Sequence, residues 1–303
     1  MDAGSAPIAA RPPVAFLGLG ALGTPMATNL LQAGFPLSVW NRSRQAEEPL
    51  AAAGAGRAST PAAAAAGAEL IALCLSDDAA VEAVLFGADG VAAGAAPGAT
   101  PGALVIDFST IAPATSQRLA SRLAEQGVGY LDAPVTGGTE GARAGTLSVL
   151  VGGAAADLER ALPLLEVVGG RISHFGPVGS GQQVKAVNQI FVAGSYAAVA
   201  EGLALARRLG LPLEQVREAL RGGAAGSWAL ENRGGNMIEN AYPLGFRLAL
   251  HRKDLAIALA TAAAENLPLP ISTTVAEMED TLIAAGHGDE DVSALARWFQ
   301  PEP

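Results

Sequence analysis

A single cysteine, Cys74, in 303 residues excludes an intrachain disulfide and fits a reducing compartment. It lies in the apolar run "ELIALCLS" and reads as a small core residue. Charge is also scarce, at 16% of residues, while 50% are hydrophobic, so the chain is expected to fold and bury a sizeable core. Positive charge is the scarcer sign: 19 Lys and Arg against 29 Asp and Glu give a net charge of −10, which disfavours nucleic acid and anionic membrane surfaces as partners. No run of 18 purely apolar residues suggests a membrane span. The opening "MDAGSAPIAARPP" has no basic segment followed by an apolar one and reads as a flexible tail over residues 1–13, so a cytoplasmic location is expected. The three histidines, His174, His251 and His287, share no ligand-like spacing with each other or with Cys74, and no metal site is expected. Nor is there a nucleophile-elbow signal for a serine hydrolase.

Short β runs then alternate with alanine-rich helical runs. The strands are expected at residues 14–19, 36–40, 70–75, 104–108, 128–134, 146–153 and 171–175. The helices are expected at 21–34, 43–53, 78–86, 113–126 and 154–168. Such alternation predicts a mainly parallel, doubly wound α/β sheet over residues 14–178. After "FGPVGSG" (175–181) the strand signals stop, and helices are expected at 181–209, 212–221, 246–265 and 270–285, an all-α domain over 179–303. The first of these helices spans about 44 Å at 1.5 Å per residue and is read as the link between the domains, buried on nearly every side.

The segment "VAFLGLGALGTPMATNLLQAGF" places Gly18, Gly20 and Gly23 after a strand and at the mouth of a helix. This is the G-x-G-x-x-G order that lets a dinucleotide's pyrophosphate approach the backbone (Gly18, Leu19, Gly20, Ala21, Leu22, Gly23) at a helix N-terminus. The next strand ends in "VWNRS". Where an NAD site usually has Asp or Glu for the ribose 2′-hydroxyl, this chain has Asn41, Arg42 and Ser43, followed by Arg44. An arginine there suits a 2′-phosphate, so NADPH is preferred over NADH. Leu75 and Ser76, and Ser109 and Thr110, close two further strands at the same expected crevice; the last pair serves either helix capping or cofactor contact.

Within "GSGQQVKAVNQ", Gln182, Lys185, Asn188 and Gln189 fall on one helix face. A lysine in so apolar a helix needs a partner or a task. A protonated Lys185 can stabilise the charge that grows on a carbonyl oxygen during hydride transfer and then donate its proton, with Asn188 or Gln189 orienting the oxygen or the ammonium. "PVTGG" offers the Thr136 hydroxyl and the Gly137 and Gly138 N–H groups as a nest for a carboxylate. In "HRKDL", His251 and Arg252 are expected to face solvent, whereas Lys253 can line a cofactor cleft and Asp254 can pair with a neighbouring lysine or cap the site electrostatically. Ser227, Trp228, Asn232 and Phe246 are candidates for the pocket's outer wall.

Together, "FLGLGALGTPMATNLLQAGF", "DAPVTGGTEGARAGTLSVLVGG", "GSGQQVKAVNQ" and "FRLALHRKDL", in that order, resemble the β-hydroxyacid dehydrogenases over residues 14–298. The resemblance implies a Rossmann domain, a long interdomain helix and an all-α C-terminal domain. It implies that Lys185 is the catalytic residue, that "PVTGG" holds the substrate carboxylate and that Lys253 lies near the cofactor. The chain departs in having Thr136 where serine is more usual, and Gln189 where some members have asparagine. The expected activity is NADPH-dependent reduction of a small carboxylated aldehyde or ketone, such as glyoxylate or succinic, tartronate or methylmalonate semialdehyde. A related imine reductase or reductive aminase, which generally lacks the lysine, and a non-catalytic NADPH-binding module are the alternatives. The small residues Ala193, Gly194, Ala197, Ala198 and Gly202 on the long helix point to a homodimer or homotetramer through the C-terminal helices.

Overall fold

In a computed structural model, which describes residues 11–92 and 98–300, the chain divides into two compact units, one up to Gly181 and one from Gln182. Most of the expected flexible tail, residues 1–10, lies outside the described residues. Its last part is anchored rather than loose: the Pro13 carbonyl accepts the Glu69 N–H, and the Arg11 guanidinium lies 4.8 Å from the Phe35 ring centre.

The first unit follows from strands that are apolar on both faces. "VAFL" forms β1 (Val14–Leu17), with every residue buried. Val14 and Phe16 join one core and Ala15 and Leu17 another, because successive side chains of a strand point to opposite faces. The chain continues through α1 (Gly23–Gln32), β2 (Leu37–Trp40), α2 (Glu48–Ala52), β3 (Gly56–Arg57), α3 (Pro61–Ala65), β4 (Leu70–Leu73) and α4 (Asp78–Phe86). β5 (Leu104–Asp107), α5 (Pro113–Ala124) and β6 (Gly129–Asp132) complete the main sheet. Its order is β3-β2-β1-β4-β5-β6, parallel throughout, with the direction of winding reversing between β1 and β4. Met26 and Leu30 of α1 are fully buried on the Phe16 side, each such side chain contributing about 1.5–3 kcal/mol.

The last expected strands do not extend this sheet. β7 (Val135–Thr136), β8 (Leu147–Val151) and β9 (Gly169–His174) form a separate three-stranded sheet, with α6 (Gly138–Ala144) and α7 (Ala155–Val168) between them. The run expected at 128–134 stops at Asp132. Pro134 has no N–H to give a ladder, and the chain turns so that β7 runs antiparallel to β8.

The second unit is helical: α8 (Ser180–Arg208), α9 (Leu213–Leu220), α10 (Trp228–Glu239), α11 (Leu248–Ala264) and α12 (Pro270–Leu282), then a 3-10 helix at Val292–Phe299. Its core gathers Ala193, Tyr196 and Leu203 of α8 with Met237, Leu255, Val275 and Leu295. α10 was not expected. Its Asn and Gly content masks a face of Ala229, Leu230, Arg233 and Met237, started by Ser227, whose hydroxyl accepts the Leu230 N–H at 3.1 Å.

α8 departs from the expectation of all-round burial. One stripe is inward, but Val187 (49%), Phe191 (70%) and Leu205 (61%) are exposed on the other side. The helix is also long and apolar enough, by length and composition, to cross a membrane, a test that core helices of water-soluble proteins pass too.

Candidate active site

The parallel register aligns the ends of the strands. Leu17 pairs with Trp40 and with Leu73, and Leu73 pairs with Asp107. The segments that begin at Gly18, Asn41, Cys74 and Phe108 therefore lie along one edge of the first unit, the edge where open α/β sheets bind ligands.

Two glycines on this edge differ in kind. Gly18 has φ +102°, and a Cβ there would overlap the Cys74 carbonyl, so the fold itself demands glycine. A Cβ on Gly20 would meet no protein atom within 4 Å. Packing leaves Gly20 free to be larger; a pyrophosphate pressed against the backbone would not. α1 starts beside it with no acidic residue in its first turn, so its positive end is open to an anion. These features fit a dinucleotide, with Gly18 to Gly23 as its phosphate loop.

Asn41 is engaged with the protein. Its Oδ1 accepts the Leu19 N–H at 2.9 Å, its Nδ2 donates to the Ser43 carbonyl at 2.9 Å, and its own N–H donates to Glu47 at 3.0 Å. It joins the phosphate loop to the loop after β2. Arg44 pairs with Glu47 at 3.1 Å and donates to the Ala58 carbonyl. Arg42 is exposed, and no described residue hydrogen-bonds or pairs with it. Ser43 is exposed beside it.

Next to this, the Leu75 N–H donates to the Ser109 hydroxyl at 2.9 Å, and the Ser109 N–H donates to Asp107 at 2.9 Å. Asp107 is fully buried and also accepts the Tyr130 hydroxyl at 2.9 Å. Burial pushes its carboxyl up to about 6, against these hydrogen bonds, and the charge of Asp132 adds to the rise. Ser109 is thus a buried strut between two strand ends. Ser76 is exposed with its hydroxyl on Asp77 at 2.7 Å, and Thr110 is half-buried. Cys74 is part-buried at the end of β4, its thiol pushed up to about 12 by burial and then by Asp107.

Elsewhere in this unit, Gly137 (φ +130°) and Gly138 (φ +65°) turn the chain from β7 into α6, with Thr136 half-buried before them. Only glycine adopts two such angles in succession at little cost, which is the backbone basis of the nest reading.

In the second unit, Gln182, Lys185 and Gln189 are buried on one face of α8. No described residue hydrogen-bonds or pairs with Lys185. Burial lowers its ammonium to about 8; Asp254 pulls it back up and Lys253 pushes it further down. Asn188, half-buried, donates through Nδ2 to the Gln189 Oε1 at 2.7 Å. Gln189 in turn donates to Asp254 at 2.8 Å, and the other oxygen of Asp254 pairs with Lys253 at 2.8 Å. Gln189 rather than Asn188 makes the long-range contact. The set offers one unengaged ammonium beside a fixed chain of amide, carboxylate and second ammonium, which is the equipment of a proton donor with a tuned field.

His251 corrects the expectation of a solvent-facing side chain. It is fully buried, its Nδ1 2.5 Å from the equally buried Glu279 of α12, and it packs edge-on to Phe246. Arg252 is half-buried and paired with Asp280 at 2.8 Å. Four polar residues in succession hide which one turns inward; the spacing of His251, Asp254 and Leu255 on one face is the signal that separates them. Among the proposed wall residues, Trp228 is exposed with the Arg233 guanidinium 4.8 Å from its ring centre, and Asn232 donates to the Trp228 carbonyl at 3.1 Å.

Comparison with known proteins agrees with both halves. Residues 13–176 match the NAD binding domain of 6-phosphogluconate dehydrogenase, and residues 179–299 match the NAD-binding family of NADP-dependent 3-hydroxyisobutyrate dehydrogenase. The chain is 42% identical over 282 residues to 2-hydroxy-3-oxopropionate reductase of Escherichia coli K12, covering 93% of this chain and 95% of that one. It is 39% identical over 295 residues to NAD-dependent L-serine dehydrogenase of Pseudomonas aeruginosa, covering 95% and 98%. The solved structure of Mycobacterium tuberculosis 3-hydroxyisobutyrate dehydrogenase with L-serine superposes with a TM-score of 0.85 at 32% identity, covering 96% of this chain and 100% of that one. With its six-stranded parallel sheet followed by a helical unit, the chain belongs to the β-hydroxyacid dehydrogenase family of NAD(P)-dependent oxidoreductases.

Proposed function

We propose that this enzyme reduces a small carboxylated aldehyde or ketone with NADPH, and that Lys185 is its proton donor. The observation that carries the reading is Lys185 itself: buried, without a partner among the described residues, and lowered to about 8. A bound nicotinamide supplies the hydride. The Lys185 Nζ then faces the oxygen on which negative charge grows, stabilises it and gives up a proton. Gln189 and Asn188 hold the donor's surroundings in place through Asp254. Thr136, Gly137 and Gly138 hold the substrate carboxylate. Gly18 to Gly23, Leu75, Ser76, Thr110 and Lys253 hold the dinucleotide, with Asn41, Arg42 and Ser43 at the 2′-phosphate end.

Glyoxylate and tartronate, succinic and methylmalonate semialdehydes are the substrates of choice. The Escherichia coli relative, named for 2-hydroxy-3-oxopropionate, supports the carboxylated aldehyde class. The preference for NADPH rests on Arg42 alone, since one relative, 39% identical, is named for NAD. Residues 14–178 act as the cofactor domain and 179–303 as the substrate and subunit-contact domain. The exposed face of α8, from Val187 through Phe191 to Leu205, supports a homodimer or homotetramer, and we read this helix as covered by a second copy rather than by lipid. A cytoplasmic setting suits both the cofactor and the lone cysteine.

The test is the loss of absorbance of NADPH and of NADH against these four substrates and a set of cyclic imines. NADPH-selective turnover of one carboxylated aldehyde is expected. Turnover of imines alone, or equal use of NADH, would overturn the corresponding part.

A further inference from the structure

Three arginines belong to the ribose-side corner of the first unit: Arg42 and Arg44 after β2, and Arg57 on β3. They differ in what holds them. Glu47, fully buried, pairs with Arg44 at 3.1 Å through Oε1 and with Arg57 at 3.0 Å through Oε2. Arg57 also donates to the Arg44 carbonyl at 3.2 Å. The same Oε1 accepts the Asn41 N–H at 3.0 Å, and Asn41 reaches on to the Leu19 N–H of the phosphate loop at 2.9 Å. Arg42 alone of the three has no described partner.

We propose that Glu47 is a positioning residue for dinucleotide selectivity, an inference that rests on the NADPH reading above. By holding Arg44, Arg57 and the Asn41 backbone at once, it fixes the loop that carries Arg42 and leaves that arginine alone for a 2′-phosphate. A buried carboxylate with three donors over-determines the loop, because losing any one of them leaves a charge or an amide uncompensated. Removing Glu47 takes the carboxylate partner from two arginines but does not replace Arg42: Arg44 keeps the Ala58 carbonyl and Arg57 keeps the Arg44 carbonyl. Their side chains are already 46% and 38% exposed, so their charge is screened by solvent. A phosphate needs a guanidinium held in a fixed geometry.

The experiment is calorimetric binding of 2′,5′-ADP and 5′-AMP to the full chain, with thermal melting as a control. The readout is the ratio of the two affinities, because a merely loosened fold weakens both ligands together. Glu47→Ala is expected to lower the ratio about tenfold with 5′-AMP binding changed less than about twofold. Glu47→Gln keeps the shape and an acceptor for Asn41, so it is expected to fold and to lower the ratio about threefold. A ratio unchanged in both variants, or raised in either because Arg44 or Arg57 reaches the phosphate, overturns the role. A wild-type ratio near one removes the NADPH reading and this role with it, whereas a high wild-type ratio that survives both substitutions overturns the role of Glu47 alone.

Discussion

Asp107 and Lys185 are both buried ionisable groups, one in each unit, and their surroundings treat them in opposite ways. Asp107 is raised to about 6 by burial yet accepts hydrogen bonds from Ser109 and Tyr130. Lys185 is lowered to about 8 by burial and has no hydrogen-bond partner among the described residues. The satisfied acid ties two strand ends together. The donors of the Lys185 ammonium are taken up by no described residue, which leaves them open to a ligand. A polar group left unpaired in a buried place points to a task, and one fully engaged points to the scaffold that holds the task in position.

The largest effect that can break this contrast is at Lys185. Lys185→Ala is expected to lower kcat about 10²- to 10⁴-fold while leaving NADPH affinity, read by fluorescence titration, near its original value. Retained turnover would place the proton donor elsewhere. Next comes the scaffold's own demand. Gly18→Ala places a side chain against the Cys74 carbonyl at φ +102° and is expected to cost about 2–4 kcal/mol in urea unfolding. Gly20→Ala meets no protein atom and is expected to change stability by less than about 0.5 kcal/mol while weakening the dinucleotide. Equal melting shifts for the two would show that the phosphate loop is not organised as described.

The pH profile sharpens the comparison further. If Lys185 is the proton donor proposed above, reduction uses its protonated form, and kcat/KM for the carbonyl should fall about tenfold from pH 7 to pH 9, through a value near 8. Oxidation of the hydroxy acid needs the neutral amine and should rise over the same range. A flat profile in both directions would remove the lysine's shifted titration from the chemistry. The smallest effect concerns Asp107. Its folded pKa lies above the ordinary carboxyl value, so its contribution to stability is greatest below about pH 4 and is lost as pH rises through about 6. Asp107→Asn removes that dependence. The unfolding free energy of the natural chain relative to the variant should therefore fall between pH 4 and pH 7, by an amount on the order of 2 kcal/mol, read by urea unfolding. A difference that stays constant with pH would mean that Asp107 does not titrate in this range.

The two units were not equally legible in the sequence. The cofactor edge is written in backbone terms, with glycines in fixed order, an apolar strand before them and a helix after them, all local in the chain. Five of the six strands of the main sheet follow from the same local alternation; β3, two residues long, does not. The second, three-stranded sheet does not, because nothing in "TLSVLVGG" says which neighbour it will pair with; Pro134 and the glycine turn decide that. Lys185 stands out because charge is sparse in this apolar helix, with Glu201 the only other charged residue between Gly181 and Ala206. Its surroundings do not, since Gln189 meets Asp254 across 65 residues and only the packing of α8 with α11 brings them together. Glu47 and Glu48 are adjacent and alike in sequence, yet one is fully buried and the other exposed. That choice belongs to Arg57, ten residues on and on a strand too short to announce itself.

Cys74 carries a consequence of a different kind. Its thiol, held at about 12 beside Asp107, is ionised in only about one molecule in 10⁵ at pH 7. The thiolate is the species that alkylating agents and peroxides attack, so the chain's one cysteine is chemically quiet despite its place next to the phosphate loop. The folded enzyme should therefore keep its activity in iodoacetamide or dilute hydrogen peroxide, and react with iodoacetamide only once unfolded.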